Sequence, residues 1–456
     1  MRRTKSSPAE PLRVHLISLG CPKNLVDTEV IAGHLATAGF ALASEPDLAD
    51  ILLINTCGFI ADARREADSE IRTALRWKRQ RRGRRVVIGG CLPQHDPAHI
   101  SERYPDVDLI LGVDDIPRVA ERLLRAIDDA QPREEPAPIS APTFLYDHTA
   151  PRLRLTPHSY SYVKIADGCD HRCAFCSIPN IRGRQRSRTV DSVLTECRQL
   201  LDLGARELDL IAQDSTRYGH DLHDGSDLLT LVRACDRLDG QYWLRLLYTH
   251  PRHITEDVIR GLAETQHLAP YIDIPLQHIS DRVLHGMGRG RGGAATRRLM
   301  EHLRRLWPGV AVRTTFLVGY PGETAADFEE LFDFVRDYRF ERLGVFTYSH
   351  EDGTRAAAIR TGRVPGEVAG ERRARLMELQ QAISLRRNQA AVGTTLRVIV
   401  DAAAGPRSFL GRSGADAPEI DNLVRFTGPR DCLERGFVDV RITRADPYDL
   451  HGRAAG

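Results

Sequence analysis

The sequence predicts an α/β protein in three parts: an amino-terminal open parallel α/β sheet, a central partial (β/α)6 barrel, and a small carboxy-terminal antiparallel β-barrel. Three observations lead there. Strand-like and helical runs alternate from residue 12 to about 131 and again from Tyr160 to Tyr348, as parallel strands joined by helices do. Gln131 to Pro142, rich in Pro and Ala, breaks the alternation and cannot hold a helix. After a charged helical run over Glu367 to Ala391, short strands are punctuated by Gly and Pro. The expected domains are 12–131, 159–391 and 393–456, with an extended linker over 132–158.

In the first domain the strands are Arg13 to Leu19, Ile51 to Thr56, Arg85 to Ile88 and Asp108 to Leu111, with helices near Leu25 to Ala38, Asp62 to Trp77 and Ile116 to Ile127. The first three strands each lead to a cysteine: Cys21, Cys57 and Cys91. Carboxyl ends of parallel strands share one edge of the sheet, where ligands bind. Three thiols spaced 36 and 34 residues apart can therefore meet in space, a set that suits an iron–sulfur cluster with one iron left open. The run Arg76 to Arg85 carries many cations; a helix carboxyl end accounts for them through the dipole, with RNA contact as the alternative.

In the second domain, strands are expected at Tyr162 to Ala166, Glu207 to Ala212, Tyr242 to Tyr248, Tyr271 to Ile274, Val310 to Val318 and Arg342 to Tyr348. These are too few for a full eight-stranded barrel. The loop after the first of them reads Gly168-Cys169-Asp170-His171-Arg172-Cys173-Ala174-Phe175-Cys176, a C-x3-C-x2-C pattern. With nine cysteines in 456 residues, chance yields this spacing about 0.004 times per chain. Zinc sites usually have four ligands, and the next cysteine, Cys197, lies in a helical pattern. Three thiolates hold three irons of a 4Fe–4S cluster and leave the fourth free to bind and activate a ligand.

Composition narrows the rest. The chain is 42% hydrophobic and 28% charged with a net charge of +2, so it is not a polyanion binder as a whole. No apolar run is long enough to span a bilayer, no leader-type cleavage site follows the basic start, and nine cysteines suit a reducing compartment better than a disulfide framework. A cytoplasmic monomer without membrane or specific DNA partners is expected. Cys197 and Cys235 read as core thiols, His250, His253 and His278 as hydrogen-bonded structural groups, and Gly286 to Gly293 as a basic mobile loop. The tail from residue 393 has nine Arg, no Lys and nine acidic residues, and Ala415 to Asp421 forms an acidic loop that suits a basic protein surface better than phosphate.

The C-x3-C-x2-C loop with Phe175 before its last cysteine resembles the radical S-adenosylmethionine superfamily. With Cys21, Cys57 and Cys91 added, the chain resembles the methylthiotransferases. The stretches Gly20 to Glu29 and Tyr271 to Ser280, with Pro22-Lys23 and Gln277-His278-Ile279, resemble the type that modifies a ribosomal protein. That resemblance implies two 4Fe–4S clusters, an auxiliary one on Cys21, Cys57 and Cys91 and a radical-generating one on Cys169, Cys173 and Cys176. It also implies S-adenosylmethionine near Phe175, Gln213, Asp214 and Gly319, and a carboxy-terminal TRAM domain. The implied reaction places a methylthio group on the β-carbon of an aspartate in small-subunit protein twelve, free or within the assembled subunit. A flavodoxin or ferredoxin would supply electrons. No catalytic side chain is singled out. The competing readings are a tRNA methylthiotransferase acting on a modified adenosine and a non-catalytic iron–sulfur electron carrier.

Overall fold

The computed structural model describes residues 10–95, 97–127 and 142–455. The chain divides into two compact units: residues up to Leu155 together with Ser177–Arg184, and Thr156–Cys176 together with Gln185 onward.

The first unit is a parallel sheet of β1 (Arg13–Ser18), β2 (Ala41–Leu42), β3 (Ile51–Thr56), β4 (Arg85–Gly90) and β5 (Leu109–Ile110), in the order β2-β1-β3-β4-β5. β3 is buried along its whole length because both faces of a central parallel strand are covered. The covering helices are α1 (Pro22–Thr37), α2 (Ala61–Gln80), α3 (Cys91–His95), α4 (Pro97–Arg103) and α5 (Val119–Ile127). The sequence reading had missed β2, which is two residues long, and the short helices α3 and α4. The cations at the end of α2 are matched within the unit: Lys78 pairs with Asp108, Arg79 with Asp106 and Arg81 with Asp50.

Residues 128–141, which include 132–141 of the expected linker, lie outside the described residues, and 142–155 pack onto this unit. The amides of Thr143 and Phe144 donate to Asp114, Arg152 pairs with the buried Glu29, and the Leu155 amide donates to Glu29 Oε1 at 2.6 Å. A segment that hydrogen-bonds a buried carboxylate is part of the fold.

The second unit begins with β6 (Tyr160–Lys164) and a two-stranded ribbon, β7 (Ala166–Asp167) with β8 (Arg186–Ser187). The intervening helix α6 (Ile178–Arg182) belongs to the first unit. Then follow α7 (Val190–Asp202), β9 (Glu207–Ile211), α8 (Leu228–Asp236), β10 (Trp243–Leu246), α9 (Glu256–Ala263), β11 (Tyr271–Asp273), α10 (Asp281–Gly286), α11 (Gly293–Leu306), β12 (Ala311–Val318), α12 (Ala325–Tyr338) and β13 (Arg342–Thr347). Strands β6, β9 and β10 form one parallel sheet and β11, β12 and β13 another, joined by a bridge between Leu244 and Leu268. This arc is the partial (β/α)6 barrel. Alternation along the strands sends Val163, Leu208, Leu210, Leu244 and Val312 into the apolar core with the helices.

Helix α13 (Gly366–Ala391) leads to β14 (Thr395–Gly405), β15 (Ser408–Ser413), β16 (Val424–Thr427), α14 (Cys432–Arg435), β17 (Phe437–Ala445) and β18 (Leu450–Ala454). The five strands close as β14-β15-β16-β18-β17, antiparallel except for the β16–β18 pair. None of the described helices is long and apolar enough to cross a membrane.

The acidic loop corrects an expectation. Its carboxylates face the chain's own barrel: Tyr160 and Tyr162 hydroxyls donate to Glu419, Tyr271 donates to Asp421 at 2.7 Å, and Arg342 pairs with Asp416. Tyr160, Tyr271 and Arg342 are the first residues of their strands, so the small barrel seals the amino-terminal end of the larger one. Carboxylates spent on internal partners are not a docking surface for a basic protein.

Candidate functional site

Both cysteine sets lie just past strand ends: those of the first unit follow strands of the parallel sheet, and those of the second follow β6 and the short β7 of the antiparallel ribbon. In the first unit Cys57 and Cys91 directly follow β3 and β4, and Cys21 caps α1 just past β1. All three are free thiols, and they lie close enough for their charges to interact. Gly20 explains how. Its φ of +90° turns the chain into α1, and a Cβ there would stand 2.5 Å from Cys57 Cβ. Only glycine lets these two cysteine loops approach so closely.

A buried polar network sets these loops. Asn24 Nδ2 donates to the Leu19 and Asn55 carbonyls, Asn55 Nδ2 donates to the Asn24 carbonyl and to Thr28 Oγ1, and Thr56 Oγ1 donates to the Gly89 carbonyl. These bonds tie together the ends of β1, β3 and β4 and the start of α1. The polar residues of the Gly20 to Glu29 stretch are thus mostly architectural. Arg182, from α6, donates to Cys91 Sγ through Nη2 at 3.1 Å and Nε at 3.3 Å, and pairs with Asp27 at 2.7 Å. The sequence reading missed Arg182, since nothing in its neighbourhood marks it as the partner of a residue 91 positions earlier.

Burial pushes the Cys57 thiol up to about 12, with Cys91 adding to the rise. Burial raises Cys91 too, while Arg182 pulls the other way. Such thiols stay protonated alone and ionise on meeting a cation.

In the second unit the Cys169, Cys173 and Cys176 loop follows β7. The Gly286 to Gly293 stretch is packed against it, not loose as expected. The Ala174 amide donates to the Met287 carbonyl at 2.8 Å, and buried Arg289 donates to Cys173 Sγ at 3.5 Å and to the Pro275 carbonyl at 2.6 Å. A Cβ at Gly288 would stand 2.9 Å from the Arg172 carbonyl, so this glycine is what allows the contact. Phe175 packs with Ala174, Val283, Met287, Leu317 and Tyr320.

The loops after β9 and β10 complete the upper face. Gln213 Nε2 donates to Asp167 at 2.5 Å, while its buried Oε1 has no hydrogen-bond partner among the described residues. Asp214 Oδ2 bonds His171 Nε2 at 2.6 Å, and His171 stacks on His250 with ring centroids 4.0 Å apart. Ligand-capable atoms of His171, Asp214, His250 and His253 all lie within 4.8 Å of one another. His250 Nδ1 accepts the Arg252 amide, so its ring proton sits on Nε2 and this residue offers no lone pair to a metal, leaving His171, Asp214 and His253 of the group. Burial first, then Arg289, hold His250 neutral; His253 is lowered to about 4, chiefly by burial. Nδ1 of His250 and of His278 accepts a backbone amide, as expected of hydrogen-bonded structural groups, while Nε2 of His250, His253 and His278 has no hydrogen-bond partner among the described residues. Gly319 stands apart in its contacts: its amide donates to Glu323 and its α-carbon faces Ala369. Cys197 and Cys235 meet in the core, where their mutual hydrogen bond and burial raise Cys197.

Family comparisons match this architecture. Residues 13–112 match the Uncharacterized protein family UPF0004, 163–335 the Radical SAM superfamily, and 392–455 the TRAM domain. The ribosomal protein uS12 methylthiotransferase RimO of Heliobacterium modesticaldum is 44% identical over 97% of this chain and 95% of its own length. The RimO protein of Opitutus terrae is 42% identical over 96% of both chains. The chain belongs to the RimO family. Among solved structures, the radical S-adenosylmethionine methyltransferase TsrM of Kitasatospora setae superposes with a TM-score of 0.56 at 17% identity, covering 78% of this chain and 80% of that one. At that identity the likeness is one of fold. The RimO family membership covers both cysteine-bearing units and the small barrel alike.

Proposed function

We propose that this chain is a radical S-adenosylmethionine methylthiotransferase that modifies the β-carbon of an aspartate in ribosomal protein uS12. The observation that carries the proposal is the pair of three-cysteine sets, each after strand carboxyl ends, in a chain 44% identical to a RimO protein over nearly its full length. In this reading Cys21, Cys57 and Cys91 hold an auxiliary 4Fe–4S cluster, and Cys169, Cys173 and Cys176 hold the radical-generating one. The donor sets fit: three free thiols each, the other cysteines among the described residues being buried elsewhere in apolar cores, and at each set an arginine N–H on one sulfur. When bound, the clusters and S-adenosylmethionine supply the electron, the 5′-deoxyadenosyl radical, the sulfur and the methyl group.

The chain's own residues orient and exclude. Arg289 and Met287 fix the radical loop, the small barrel and its ionic seal close the far end to water, and the neutral histidines keep added charge away from the upper face. Gln213 Oε1 and the Nε2–H of His250 offer one acceptor and one donor for the amino and carboxylate groups of S-adenosylmethionine. A flavodoxin or ferredoxin would feed electrons to a monomeric enzyme. Anaerobic reconstitution tests the reading: about eight irons per chain, 5′-deoxyadenosine on reduction, and a uS12 peptide heavier by one methylthio group support it. Iron without cleavage of S-adenosylmethionine indicates an electron carrier, and modification of tRNA alone overturns the substrate.

A further inference from the structure

We infer that Arg182 is a positioning residue for the auxiliary cluster, one that holds Cys91 in its ligating orientation and raises the cluster's reduction potential. The inference rests on the assignment of Cys21, Cys57 and Cys91 as ligands. Arg182 is 2% exposed and donates to Asp27 at 2.7 Å, to Asn24 Oδ1 at 3.2 Å, and to Cys91 Sγ at 3.1 and 3.3 Å. A neutral thiol is a poor acceptor for a buried guanidinium, whereas a cluster thiolate turns both N–H···S contacts into charge-assisted bonds.

The arrangement is also uneven. Cys57 receives a backbone N–H from Phe59, while the guanidinium goes to Cys91. Hydrogen bonds to cluster sulfurs favour the more negative, reduced state, so they raise the potential. Arg182 stands six residues past Cys176, and residues 177–184 belong to the first unit. The peptide that carries the radical triad therefore continues into the residue that tunes the other.

The test uses the full chain with Cys169, Cys173 and Cys176 changed to Ala, so that only the auxiliary cluster loads. Midpoint potentials are read by EPR-monitored titration. Because Arg182→Gln alone takes this cation from the buried Asp27, the informative variant is Asp27→Asn/Arg182→Gln, which removes both charges; Arg182→Lys is the conservative companion. With iron retained, the double variant should titrate more negative, by a tenfold drop in reduced cluster at fixed poise, about 59 mV for one electron. Arg182→Lys should fall between. An unchanged potential in a fully loaded double variant overturns the inference and leaves the ligand assignment standing. A parent that takes up no iron removes the assignment itself, and the inference with it.

Discussion

Replacing Gly20 by alanine should empty one cluster site and spare the other. Two costs follow from the structure. The residue sits at φ +90°, where an L side chain costs about 1–2 kcal/mol. Its new Cβ would also stand 2.5 Å from Cys57 Cβ and 2.9 Å from Cys57 Sγ, an overlap relieved only by moving a ligand. Overpacking of that kind costs about 1–3 kcal/mol, for about 2–5 kcal/mol in all. Gly39 is the control: its φ is +89°, yet nothing lies within 4 Å of its added Cβ, so Gly39→Ala should lose only the first term. Iron analysis after anaerobic reconstitution should give about four irons for Gly20→Ala and about eight for Gly39→Ala. Gly20→Ala should still form 5′-deoxyadenosine on reduction while the methylthio product disappears. Full iron in Gly20→Ala, or equal loss in both variants, would refute the argument that close approach at Cys57 sets the site.

Arg289→Gln should loosen the radical loop and speed iron loss from it to a chelator by about 10–100-fold, with auxiliary iron unchanged. Arg342→Met leaves buried Asp416 without its cation and should cost about 3–5 kcal/mol in denaturant unfolding, with earlier proteolysis near residues 413–421; Arg79→Ala, at an exposed pair, should cost under about 1 kcal/mol. Asp209→Asn should relieve a pH-dependent penalty. Asp209 is fully buried with no hydrogen bond to either oxygen, and burial, then Glu207, raise its carboxyl well above the usual range. Between the unfolded value near 3.9 and that raised value, the unfolded chain releases a proton the folded chain keeps. Stability of the parent therefore falls as pH rises, by about 1.4 kcal/mol per unit, and the variant should escape it. Parallel stability curves for parent and variant would refute this assignment.

The fold was legible where hydrophobic period and strand length were strong. Strand Ile51–Thr56 coincides with the sequence reading, the helix expected over Glu367 to Ala391 starts one residue earlier, and the barrel strands fall within a few residues. What escaped was tertiary. A two-residue strand such as Ala41–Leu42 carries no period, and its place is set by pairing with Arg13 and Val14. Gly286 to Gly293 reads as a mobile loop from composition, but glycines also permit close approach, and here they bring Arg289 to Cys173. The cysteines showed in the sequence because their spacing is improbable. Arg182, Asp27 and Arg289 did not, because single charged residues in a chain rich in them carry no signal until burial is known.

The interior of the larger barrel changes how the tail should be read. Tyr162, Asp209 and Arg245 lie side by side in register, and Asp273, Arg313 and Arg342 continue the layer. Glu207 receives Arg245 and Arg412 together; burial opposes ionisation, but the two cations hold it below the usual carboxylate range. A barrel lined with this many charges cannot be left open at its amino-terminal end, since water would compete for every pair. The small barrel supplies the missing partners through Arg412, Asp416, Glu419 and Asp421. The neutral balance of the tail thus counts three carboxylates and one arginine that are already neutralised inside. Any face of the tail that meets a substrate must be sought on its exposed side, where Arg425 and Arg444 on strands and Arg435 at the end of α14 stand half-exposed or more. Substrate class therefore follows from the likeness to RimO proteins and the two cysteine sets, and the charge of the acidic loop lends it no support.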